Sequence, residues 1–215
     1  MASCVDKPRA VAPFYCGWAL ACCWVLLSLA GCERAPGLSP LSPHDVIVAF
    51  GDSLTYGTGA APESAYPAVL AGLTGRTVIN AGVPGETTAD GLKRLPGVLA
   101  EHKPRLVLLC LGGNDLLRRI PETETETHLR LLARTIRASG AELVLIGVPE
   151  PRLFGGAAPV YARLAGELGV PLEEAVFVDV LKDNRLKSDP VHANAAGYRV
   201  VAERLAEFLR ESGAL

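Results

Sequence analysis

The hydrophobic pattern along the chain switches repeatedly between two periods. Short, nearly unbroken apolar runs at Val46–Phe50, Thr77–Asn80, Arg105–Leu111, Leu143–Val148 and Val176–Val178 predict strands that are buried on both faces, as in a parallel sheet. Between them, apolar residues recur at helical spacing. This predicts helices over Tyr66 to Leu73, Ala89 to Glu101, Thr123 to Ser139, Val160 to Leu168 and Ala193 to Arg210. In the second of these, Leu92, Leu95, Val98 and Leu99 share a face, Pro96 is a local irregularity and Pro104 is a stop. Leu129, Leu132 and Ile136 do the same in the third, and Val200, Leu205 and Leu209 in the last. Strand and helix alternate throughout, and right-handed crossovers place successive helices on the faces of one sheet. The expected class is α/β, a three-layer α/β/α sandwich around a parallel sheet of about five strands.

The amino terminus departs from this pattern. Residues 1–31 carry Lys7 and Arg9, then an apolar run from Val11 to Ala30, then small residues, the three regions of an export signal. Leu29-Ala30-Gly31-Cys32 resembles a bacterial lipobox. That resemblance implies cleavage before Cys32, a lipid anchor there, and a domain on the periplasmic side of the envelope. The alternative is an uncleaved span, for which about 20 apolar residues suffice. Three prolines, a glycine and two serines between Glu33 and Pro43 give a tether over 32–43, with the folded domain at 44–215.

Composition narrows the partners. With 215 residues, 49% of them hydrophobic, the chain can bury one sizeable core. A net charge of −2, with no basic stretch, argues against nucleic acid. Of six cysteines, Cys4, Cys16, Cys22 and Cys23 lie near the start and Cys32 follows the apolar run. Cys110 lies inside a strand pattern and reads as a small buried hydrophobe. No disulfide framework or metal-binding spacing is present in the sequence. Glu122, Glu124 and Glu126 suit the start of a helix better than a cation site.

The candidate chemistry sits where strands end. Val46 to Phe50 runs into Gly51-Asp52-Ser53, so a hydroxyl is expected at the carboxyl edge of the sheet, where α/β proteins bind ligands. Ser53 reads either as a nucleophile or, with Asp52, as a helix cap. Far along the chain, Ser188-Asp189-Pro190-Val191-His192 puts a carboxylate three residues before an imidazole. His192 can act as base toward Ser53, and Asp189 can orient the ring. His44, His102 and His128 have no such partner in sequence and read as surface residues.

With these two segments, Asn80-Ala81-Gly82-Val83-Pro84-Gly85-Glu86-Thr87 and Gly112-Gly113-Asn114-Asp115 complete four blocks in the order in which the chain resembles the GDSL, or SGNH, hydrolases. The resemblance covers residues 45–210. It implies a flavodoxin-like winding and ester or thioester hydrolysis through an acyl-serine, with no cofactor or metal. It also implies an oxyanion hole made by the backbone N–H groups of Ser53 and Gly85 and the side-chain amide of Asn114. Gly82 is the competing loop donor. Ala193 stands where the family usually has proline, which bears on the rigidity of that loop.

Within the family, Gly91–Pro96, Lys103–Arg105 and Gly113–Arg118 are similar to a periplasmic thioesterase, lysophospholipase and arylesterase group. That likeness implies aryl esters, lysophospholipids or acyl thioesters as substrates. It also implies an acyl groove formed by Leu116, Leu117 and Ile120, opposite Pro149, Leu153 and Phe154. A carbohydrate acetyl esterase and a non-catalytic acyl- or glycan-binding lipoprotein are the competing readings.

Overall fold

The buried run Val46–Gly51 forms β1, paired between β2 and β3 in a five-stranded sheet of order β2-β1-β3-β4-β5. A computed structural model describes residue 1 and residues 37–150 and 155–215. The flanking strands are β2 (Thr77–Gly82), β3 (Leu106–Cys110), β4 (Glu142–Ile146) and β5 (Leu172–Glu173), all parallel. β3 is buried at every position, as its unbroken apolar sequence requires, whereas β2 lies at the edge and keeps exposed positions. The single free cysteine among the described residues, Cys110, is buried at the end of β3.

Helices make the outer layers. α1 (Ser53–Tyr56) follows β1 directly, and α2 (Tyr66–Thr74) leads to β2. α3 (Thr88–His102) leads to β3, and α4 (Gly113–Leu117) and α5 (Glu122–Ala138) lead to β4. Then come α6 (Pro159–Leu168), α7 (Val176–Lys182) and α8 (Ala195–Glu211). α2 packs against α8, and α3 against α5. The chain winds from β1 outward to β2, then returns to the other side of β1 to form β3. That reversal leaves a crevice at the carboxyl ends of β1 and β3, where doubly wound sheets bind ligands.

Two expectations need correction. Val176–Val178, expected as the fifth strand, is the first turn of α7, and the strand is Leu172–Glu173, paired with Leu145 and Ile146. β-branching favours extension only weakly. Burial of Val176, Phe177 and Val180 at helical spacing outweighs it. α1 and α4 have four and five residues, too short to show a period in sequence. Finally, the expected tether includes residues that are docked. Leu38 N–H donates to Ser212 O at 2.7 Å, Leu41 N–H donates to Ala214 O at 2.8 Å, and Leu41 is buried. Two leucines among prolines and serines are enough to dock the segment. The expectations of an export signal and of a lipid anchor at Cys32 rest on residues 2–32, which lie outside the described residues.

Candidate active site

Gly51 lets β1 end against β3, since a Cβ there would lie 2.1 Å from the Cys110 carbonyl oxygen. The next residue, Asp52, caps α1: its Oδ1 accepts the Leu54 N–H at 3.0 Å. Capping and chemistry are therefore shared between neighbours, Asp52 holding the turn and Ser53 opening the helix at the crevice. Ser53 Oγ lies 2.9 Å from His192 Nε2, and His192 Nδ1 lies 2.7 Å from Asp189 Oδ2. The other oxygen of Asp189 accepts the N–H groups of Val191 and His192, both at 2.9 Å.

This last loop is fixed without the family's proline. Ser188 N–H donates to His192 O at 3.0 Å, Lys187 bridges to Ala193, and Ala193 is fully buried. Asn194 then caps α8 by accepting the Gly197 N–H, while its amide donates to the carbonyls of Arg185 and Lys187. Burial alone would raise the Asp189 pKa. The His192 ring, the Val191 and His192 N–H groups and the imidazole charge together hold it below the ordinary carboxylate value.

Asp52 shows the opposite balance. It is 2% exposed, and that burial, reinforced by the nearby Glu86 and Asp115 carboxylates, pushes its pKa up to about 6; the Leu54 N–H and the His192 charge pull the other way.

The remaining predicted groups meet at the same crevice. Asn114, in the first turn of α4, donates from Nδ2 to Glu86 O at 3.0 Å and approaches Asp52 Oδ2 at 3.4 Å. Gly85 has φ +80°, a left-handed conformation that favours glycine. Gly82 is used differently. Its N–H donates to Asn80 Oδ1 at 3.0 Å, and a Cβ there would lie 2.2 Å from Tyr56 N, so its task is the close approach of β2 to α1. Glu86, 6% exposed, holds the loop through two 2.7 Å bonds from Arg94, whose guanidinium stacks on Phe50.

Comparison with known proteins gives the family. The GDSL-like Lipase/Acylhydrolase family matches residues 49–200. The thioesterase 1/protease 1/lysophospholipase L1 of Escherichia coli K12 is 34% identical over 174 residues, covering 77% of this chain and 84% of that protein. The arylesterase of Vibrio mimicus is 32% identical over 174 residues, covering 76% and 87%. The crystal structure of TesA is 28% identical with a TM-score of 0.66, covering 78% of this chain and 97% of that one.

The chain belongs to the GDSL-like lipase/acylhydrolase family. Its activity is the hydrolysis of esters, and a cavity opens beside Ser53. About 910 Å³ in volume, it includes Ser53, Gly85, Asn114 and His192 in its lining. Of the expected groove residues, Leu117 and Pro149 line it; Leu116 packs against the core instead, and Ile120 is absent from the lining. Successive helical side chains diverge by about 100°, so Leu116 and Leu117 cannot face the same way. Leu153 and Phe154 lie outside the described residues.

Val148, Val178, Leu181 and Val191 form much of the apolar wall and were missed. Reading Val176–Val178 as a strand hid α7, which supplies two of them. Val191 stands directly beside His192 and was legible from that position alone. Among the other histidines, His44 is exposed, but His128 is half-buried and its Nδ1 lies 3.2 Å from Thr88 Oγ1. Its partner comes from a distant helix, so sequence spacing gave no sign of it.

Proposed function

We propose that Ser53 is the nucleophile of this ester hydrolase, His192 its general base and Asp189 the residue that orients and balances the imidazole. The continuous chain of short contacts from Ser53 Oγ through both ring nitrogens to Asp189 carries this reading. Ser53 Oγ attacks the carbonyl carbon of the ester as its proton passes to Nε2. The carbonyl oxygen, now an anion, accepts from the N–H groups of Ser53 and Gly85 and from Asn114 Nδ2, replacing the long 3.4 Å approach of that amide to Asp52. Collapse breaks the bond to the alcohol or thiol, which takes the proton back from His192. Water then repeats the sequence on the acyl-serine.

The apolar lining supports acyl esters as substrates: aryl esters, lysophospholipids and acyl thioesters, the chemistries named for the relatives. Export and a lipid anchor at Cys32 would place the domain on the periplasmic side of a bacterial envelope, next to lipid substrates, with residues 1–31 removed. The basic, apolar and small-residue regions and the lipobox support that placement.

A fluorophosphonate probe is expected to label Ser53 in the wild type and not in Ser53→Ala. The same substitution is expected to lower kcat by roughly 10⁴–10⁶-fold. Labelling that persists in Ser53→Ala would remove the nucleophile assignment. kcat/KM for p-nitrophenyl esters is expected to rise from acetyl to longer acyl chains. A series that falls after acetyl, with turnover of acetylated xylan, would favour the carbohydrate acetyl esterase.

A further inference from the structure

Asn114 and Asp115 are consecutive on α4, so their side chains point in different directions. Asn114 reaches the cavity, while Asp115 turns into the protein and is 0% exposed. A carboxylate in that position is costly unless its oxygens are satisfied. Both go to one residue, Thr88, which opens α3: Oδ2 accepts its backbone N–H at 2.9 Å and Oδ1 its hydroxyl at 2.5 Å. The amino end of α3 adds its positive dipole. Because the Thr88 hydroxyl has one hydrogen and gives it to Asp115, His128 Nδ1 must be the donor in the 3.2 Å contact behind it.

Thr88 lies three residues after Gly85, where that loop enters α3. Asn114 holds Glu86 O from one side and Asp115 holds Thr88 from the other, so two neighbours on α4 grip the loop around Thr87. Arg118 adds a third hold, donating to Gly85 O at 2.8 Å. α4 has only five residues, too few to keep its place by helical cooperativity. Its orientation, and with it the aim of the Asn114 amide, comes from contacts of this kind.

We propose that Asp115 is a positioning residue for the oxyanion hole, acting through Thr88 to hold Asn114 and the Gly85 loop in one frame. The proposal rests on Asn114 being an oxyanion donor, which is checked separately by fluorophosphonate labelling of the wild type and by loss of kcat in Asn114→Ala. Thr88→Val removes the hydroxyl and keeps the shape, whereas Thr88→Ser keeps the hydroxyl.

With p-nitrophenyl butyrate, Thr88→Val is expected to lower kcat about ten- to a hundredfold while KM changes less than about twofold, since the donors are engaged fully only in the transition state. Thr88→Ser is expected to restore kcat to within about threefold of wild type. In an Asn114→Ala background, Thr88→Val is expected to cost less than about threefold more, because residues acting as one unit are not additive. If Thr88→Val does not fold, Asp115→Asn, which leaves one acceptor facing two donors, takes its place in the same cycle. A kcat unchanged by Thr88→Val, or an equal loss with and without Asn114, would overturn the proposal.

Discussion

The buried carboxylate of Asp52, beside Ser53, gives a measurable dependence of stability on pH. Asp52→Asn removes the charge and keeps an oxygen for the Leu54 N–H. In the folded protein Asp52 titrates at about 6, against an ordinary 3.8. At 1.36 kcal/mol per pH unit, ionising it in place costs about 3 kcal/mol more than in the unfolded chain. The folded state holds this proton more tightly. Its contribution to stability is therefore complete below pH 3.8 and is lost as pH rises through about 6.

Urea unfolding of both proteins between about pH 4 and pH 8 isolates the effect, because every other titrating group is common to the two. The stability of Asp52→Asn minus that of wild type is expected to climb by about 2.4 kcal/mol across the window, the rest of the change falling below pH 4, and then to level off. The amide placed opposite Asn114 Nδ2 adds an offset that does not vary with pH. A difference that stays flat across the window would refute the burial argument. The variant is expected to lose kcat even as it gains stability above pH 6, because the Asp52 charge lies near the imidazolium that forms during reaction; activity and stability are often opposed in this way at catalytic sites.

Two further outcomes test how the site is supported. Asn194→Ala is expected to lower stability by about 1 kcal/mol through the lost cap and to lower kcat, since the bonds to Arg185 and Lys187 also go. Asn194→Asp keeps an acceptor for Gly197 N–H but not the donors. Thermal unfolding beside kcat should show its stability retained and its activity reduced. Gly72→Ala, on α2 with nothing within 4 Å of the new Cβ, is expected to stabilise by about 0.5–1 kcal/mol. Gly82→Ala would put a Cβ 2.2 Å from Tyr56 N and is expected to shift the urea midpoint down and displace Ser53 with α1.

The alternating α/β order and four of the five strands were legible in the sequence, because burial on both faces demands unbroken apolar runs and those runs are visible one residue at a time. Ser53 and Asn114 could be placed in the fold for a related reason, since each follows a strand and stands in the first turn of a helix, whereas Asp189 and His192 were picked out by their three-residue spacing in the loop before α8. Tertiary structure alone decided which apolar residues face the cavity beside Ser53, since Leu116 and Leu117 have the same chemistry and differ only in direction. It also decided that Val176–Val178 coil into a helix, because only packing tells a buried turn from a buried strand. The raised pKa of Asp52 and the grip of Asp115 on Thr88 arise from groups distant in sequence that share a dry interior. Linear spacing carries no trace of that arrangement, because burial and electrostatic coupling depend on distances that exist only once the sheet is wound.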